Sequence, residues 1–157
     1  MLTAAKLTLI CFAASPVSFF YLWRITMDNL PAKLTVDKSD FASITALIDK
    51  YFLGLHHGDV SVLKSIFHPD TWLKAPGSRR SLTQWLNDVK NRDTPLQLAN
   101  PFRFKILAID IVQDQAMVKV DCPLFNFRYV DFLGLLKEQG QWRIVTKMYT
   151  DIGDDKS

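Results

Sequence analysis

The apolar positions of this chain change period near its middle. Between Phe41 and Leu55 they recur at intervals of three and four, so that Phe41, Ile44, Leu47, Ile48, Tyr51, Phe52 and Leu55 share one helical face. Ser39 or Asp40 is placed to cap the start of this helix, and Gly58, which takes a left-handed conformation at little cost, ends it. Asp59 then caps a short second helix that turns Val60, Leu63, Ile66 and Phe67 inward and stops at Pro69. A brief strand over 71–75 leads into the Pro76-Gly77 turn. Ser81 with Gln84 three positions on forms a capping box for a third helix, whose buried stripe is Leu82, Trp85, Leu86 and Val89. From Arg103 the period becomes two, which predicts strands near 103–112, 116–123, 127–137 and 141–149, with turns at 113–115 and 138–140. No connection among these four strands can hold a crossover helix, so they should run as an antiparallel meander.

Helices first and sheet second define an α+β fold, three N-terminal helices packed on a curved antiparallel meander. A sheet with one wet face alternates apolar and polar residues, yet here Leu107, Ile109 and Ile111 oppose Ile106 and Ala108. In the next apolar strand Val130, Phe132 and Leu136 oppose Tyr129, Leu133 and Leu135. Three short helices cover one face only. The same sheet of a second copy is the simplest cover for the other, so a homodimer through the sheet face is expected.

Residues 1–26 stand apart from this pattern: Lys6, an apolar run over 7–23, Arg24 and no acidic residue. They fit a signal peptide, a short membrane anchor over 7–23, or an over-extended start upstream of Met27. In each case the segment lies outside the folded core. A linker over 27–36 follows, then one domain over 37–150 and a tail over 151–157. The expected location is cytoplasmic, or exported or membrane-anchored if the first segment is used.

Composition narrows the chemistry. The chain is 48% apolar and 22% charged with a net charge of +3, and from Met27 onward it is close to charge-balanced, so there is no basic footprint for nucleic acid. Cys11 and Cys122 form neither a disulfide framework nor a zinc spacing. Adjacent His56 and His57 point about 100 degrees apart on a helix and cannot chelate one metal together; no metal and no cofactor is expected. Phosphate loops, nucleophile elbows and Cys–His pairings are absent from the sequence, which argues against nucleotide hydrolysis and acyl transfer.

The order helix, short helix, strand, helix, long meander resembles the nuclear transport factor 2-like superfamily of cone-shaped α+β barrels, over residues 37–150. Four blocks, at 51–59, 66–70, 130–137 (VDFLGLLK) and 141–145 (QWRIV), resemble more narrowly the putative lumazine-binding group of that superfamily. The resemblance implies a dead-end pocket between sheet and helices. The superfamily includes isomerases, dehydratases, polyketide cyclases and binding modules without activity, so the fold does not choose among them.

Within that frame Tyr51 matches the tyrosine that helps form the oxyanion hole of the similar steroid isomerases. Asp131 lies within one residue of the position of the second hole residue, an aspartic acid held protonated. Tyr51 could equally be a core tyrosine bonded to backbone. Asp131, in a strongly apolar strand, needs a partner or a proton, and Arg128 and Lys147 are its possible partners at the sheet rim. Where the isomerases carry their general base this chain has Ala75, and Asp70, His68 and Asp121 are the possible replacements. The first two are also explained as turn residues beside Pro69.

Trp72, Trp85, Phe104, Phe125, Phe127 and Tyr129 supply aromatic surface for a flat or polycyclic ligand, or simply a core. The candidate pocket is therefore Tyr51, Trp72, Trp85, Asp121, Tyr129 and Asp131, with no catalytic residue assigned. Two functions follow: a small-molecule-binding module, or a lyase or isomerase using general acid–base chemistry on an aromatic or polyketide-like substrate. A cone filled by its own aromatic side chains would indicate a purely structural domain.

Overall fold

The structure, a computed structural model, describes residues 37–153. The expectations for residues 1–36, and for the last four residues of the tail, lie outside the described residues. Three helices, α1 (Lys38–His57), α2 (Val60–Ile66) and α3 (Leu82–Lys90), pack on six strands. The strands are β1 (Phe67–Ala75), β2 (Ser78–Ser81), β3 (Lys105–Val112), β4 (Gln115–Leu124), β5 (Phe127–Glu138) and β6 (Gln141–Asp151).

Local chemistry sets most of the boundaries. The N-cap of α1 is Asp37, two residues before Ser39 and three before Asp40, because its carboxylate accepts the Ser39 N–H at 2.9 Å. Asp40 is engaged elsewhere: its Oδ1 accepts from Lys137 Nζ at 2.7 Å and from Trp142 Nε1 at 3.0 Å, fastening α1 to the β5–β6 hairpin. Gly58 closes α1 with φ +66°, and a Cβ there would lie 2.5 Å from the Thr94 side chain, so both conformation and space require glycine. Asp59 caps α2 through the N–H groups of Ser61 and Val62. Ser81 and Gln84 complete the capping box of α3. Helix α2 stops at Ile66, before Pro69, which lies inside β1 where the pairing with β6 shifts register between Phe67 and Trp72. An irregularity of that kind is where a strand tolerates the missing donor.

The sheet order is β2-β1-β6-β5-β4-β3. Strands β3 to β6 form the expected antiparallel meander. The sheet as a whole is mixed, because β1 pairs in parallel with β6 and antiparallel with β2, a short strand that the periodicity did not mark. The inner face is buried under the helices, with Leu73, Val118, Val120, Leu133, Leu135 and Ile144 against Ile44, Ile48 and Tyr51.

The outer face carries apolar side chains, but the alternating set Leu107, Ile109 and Ile111 of β3 does not stay together on one face. A register shift between Ile106 and Ala108 switches the phase of β3. Ile109 and Ile111 consequently pack against the core, while Leu107 is 49% exposed. Phe132, Met148, Met117 and Trp72 share the outward face with it.

Candidate functional site

Three buried polar side chains from three elements meet inside the protein. Tyr51, on the inward face of α1, donates its hydroxyl hydrogen to Asp131 Oδ2 of β5 at 2.7 Å. Lys147 of β6 donates to the same Oδ2 at 2.7 Å and to the Tyr51 hydroxyl oxygen at 2.6 Å. Tyr51 and Asp131 are 0% exposed and Lys147 is 6% exposed. The three close into a ring of hydrogen bonds in which one cation balances one anion, the arrangement that lets charges survive away from water. Asp131 Oδ1 has no hydrogen-bond partner among the described residues.

Aromatic rings surround the ammonium. Lys147 Nζ lies 5.3 Å from the ring centre of Tyr51, 5.3 Å from Tyr149 and 5.7 Å from Trp85, each within range of a cation–π attraction. Phe67 packs at 5.9 Å from Tyr51 and 5.4 Å from Trp85. Toward the β4–β5 turn the aromatic lining continues through Tyr149, Tyr129 and Phe127 at centroid spacings of 5.9 and 5.6 Å. Burial first, and then the Asp131 carboxylate, push the Tyr51 hydroxyl well above its ordinary pKa, so it holds its proton. The same two causes raise the buried Cys122 thiol, which is thereby kept unreactive.

The expected site residues divide between faces. Tyr51, Trp85 and Asp131 come together in the interior, and Tyr129 joins the same aromatic surface, partly exposed. Trp72 does not: it is 48% exposed on the outward face, between the buried Thr71 and Leu73 of β1. Asp121, buried at 4%, stands opposite Val130 in β4–β5 and pairs with Arg128 at 2.9 Å, away from Asp131. Alternation along the strand accounts for both, since neighbours of an inward residue point outward.

Asp131 therefore pairs with Lys147, in the core and not at the rim. Its position in an apolar strand signalled that a partner was needed. Lys147 is one of the two expected partners; what carries it into the core is a second register shift, between Gly134 and Leu135, which leaves Val145 unpaired and moves the inward phase of β6 from Ile144 to Lys147 and Tyr149. Plain alternation from Ile144 would have turned Lys147 outward.

An oxyanion hole needs a donor at each of its members. Asp131 here accepts two hydrogen bonds from Tyr51 and Lys147, so its geometry is that of a carboxylate acceptor. Ala75 ends β1 opposite Ser78. Asp70 is exposed, with its carboxylate 3.7 Å from His68, itself 4.0 Å from Glu138. His56 is buried, its ring 5.3 Å from Phe102, and burial, followed by the neighbouring His57, lowers its pKa. Among the described residues no three His, Cys, Asp or Glu side chains converge as metal ligands. No helix among them is long and apolar enough to cross a membrane.

A family model described as "Putative lumazine-binding" matches residues 39–150. Solved structures with the same fold include an NTF2-like protein of unknown function from Shewanella baltica, 23% identical with a TM-score of 0.67, over 76% of this chain and 99% of that one. A second, from Silicibacter pomeroyi, is 24% identical with a TM-score of 0.61, over 74% and 99%. A ketosteroid isomerase-like protein from Erwinia carotovora atroseptica is 15% identical with a TM-score of 0.56, over 75% and 100%. At these identities the likeness is one of fold. No curated protein matches the chain.

Proposed function

The chain belongs to the putative lumazine-binding family, and from that premise we propose that it is a binding module for a small, flat aromatic molecule. The ligand lies against the Trp85, Tyr149 and Tyr129 surface and gives an N–H or O–H to Asp131 Oδ1. The observation that carries this reading is that oxygen: a fully buried carboxylate acceptor that takes no well-formed hydrogen bond from a described residue, with the weakly donating Cys122 thiol near the carboxylate and an ammonium and a phenol that orient it. Buried polar atoms are rarely left unsatisfied, and a ligand donor would satisfy this one. Non-denaturing mass spectrometry of the native protein, followed by ligand-detected NMR with flat heteroaromatic compounds, tests it. Binding that is weakened in Asp131→Asn supports the assignment. Equal binding in that variant would remove Asp131 from the site, and no aromatic binding at all would overturn the reading.

The same oxygen favours a second reading, a lyase or isomerase in which Asp131 Oδ1 takes a proton from a carbon acid while Lys147 and Tyr51 stay hydrogen-bonded behind it. Deuterium washed from solvent into a bound ligand would separate turnover from binding.

For the outer face we propose a homodimer. Exposed Met117 lines a shallow apolar groove of about 260 Å³ with Val112, Gly134, Leu136 and Val145, and exposed Phe132 and Met148 share this face of the sheet. Contiguous apolar surface of this kind is characteristic of an interface.

A further inference from the structure

Beyond the Tyr51, Asp131 and Lys147 ring, one cation near the aromatic lining has no acid. Arg92 follows the last turn of α3, is partly buried, and makes no hydrogen bond or ion pair with a described residue. Its guanidinium carbon sits 5.1 Å from the ring centre of Phe125. Burial pulls its pKa below the ordinary value, with the Arg80 cation acting in the same sense and the Asp88 carboxylate against it. Arg92 is thus directed at the aromatic surface and not at bulk solvent alone.

Arg80 is near enough for its charge to act on Arg92, and its fork is only partly used. One terminal nitrogen donates to Asp88 at 2.9 Å and the other to the Tyr149 hydroxyl at 2.9 Å, while Nε is buried with no partner among the described residues. A half-desolvated guanidinium with no directly paired carboxylate and a buried N–H with no acceptor are each unfavourable. A cation–π contact with Phe125 offsets the first only in part. One anion would satisfy both, and the planar arginine fork fits carboxylate, sulfonate or phosphate oxygens.

We propose that the ligand is an aromatic anion whose acidic group is held by Arg92 and the Nε–H of Arg80, with its ring against Phe125 and Tyr129. This deepens the binding reading given above and rests on it. The residues that carry it are separate from Asp131, so the two ends of the ligand can be tested apart.

The test is a fluorescence titration with 8-anilinonaphthalene-1-sulfonate and with its neutral parent N-phenyl-1-naphthylamine, which share rings and bridging N–H and differ by the sulfonate. The full chain should bind the sulfonate about tenfold more tightly or better, as expected for one charge-assisted contact. Arg92→Gln should abolish that preference and leave the neutral probe unchanged, and Phe132→Ser on the outer face should alter neither. Equal affinities in the unsubstituted protein, or a preference that survives Arg92→Gln, would overturn the anion proposal while leaving aromatic binding intact. Failure of both probes to bind, or loss of both in Phe132→Ser, would overturn the site itself. Should Arg92→Gln not fold, the salt dependence of the two affinities decides: only the sulfonate's should weaken as salt rises.

Discussion

Lys147 Nζ and Asp131 Oδ2 lie 2.7 Å apart with side chains 8% and 0% exposed, an ion pair sealed from water between two adjacent strands. Removing one partner leaves the other charged and buried. Lys147→Met should therefore cost about 3–5 kcal/mol of unfolding free energy. Replacing both, as Lys147→Met with Asp131→Leu, should recover part of that loss, because apolar substitution of a buried pair is close to neutral while the Tyr51 hydroxyl that bonded both is left without a partner. Urea unfolding of the three proteins measures it. Additive losses in the double variant would show that the two side chains act independently.

Tyr51 donates to one member of that pair and accepts from the other. Tyr51→Phe keeps the ring and should cost about 1.5–3 kcal/mol, the range for a hydrogen bond to a charged group. The raised hydroxyl pKa adds a pH signature. Folding holds this proton more tightly than the unfolded chain does, so the stabilisation is complete below the unfolded value near 10 and is lost as pH rises toward the folded one. The unsubstituted protein should lose stability steeply above about pH 10 and Tyr51→Phe less steeply. Melting temperatures between neutral and strongly alkaline pH decide it.

His56 behaves in the opposite sense. Its imidazole is buried against Phe102 and Phe104, Nδ1 has no partner among the described residues, and its pKa is lowered. The unfolded chain binds this proton more readily, so the stabilisation is present above about 6.5 and is lost as pH falls through the folded value. The protein should melt lower at mildly acidic than at neutral pH, well above the range where Asp40 takes up its proton. His56→Phe should flatten that acid limb. An unchanged slope would place its origin in another group.

Legibility in the sequence followed the range of the interactions. Caps and turns are made by residues within four positions of one another, so Gly58, Asp59 and the Ser81–Gln84 box could be read directly. The four-strand meander was equally visible, since each hairpin closes over a short turn. Pairing of β1 with β6 joins Phe67 to Ile144, and nothing local encodes it. The site suffered more, because strand phase can be propagated only as far as the next bulge. One at Leu107 turned Ile109 and Ile111 inward, and one at Val145 brought Lys147 to Asp131. Tyr51 and Asp131 stood out because a phenol on an apolar helical face and a carboxylate in an apolar strand each call for a partner. Lys147 was among the expected partners, but alternation put it at the sheet rim and the bulge put it in the core.

The bulge at Leu107 also decides where self-association can be tested. Ile109 and Ile111 pack against the core, so an arginine at either would disturb folding and association together. Phe132 is 40% exposed, pairs across β5–β6 with Met148 and stacks under the Lys119 ammonium at 5.5 Å, and its side chain leaves the core untouched. In an isologous dimer each such residue meets a symmetry-related surface, so one substitution introduces two buried charges per interface. Phe132→Arg should then leave the melting transition of the isolated chain intact and halve the mass found by sedimentation or light scattering. If the unsubstituted protein runs as a monomer, or if Phe132→Arg leaves a dimer unchanged, the outer face of the sheet is not the interface.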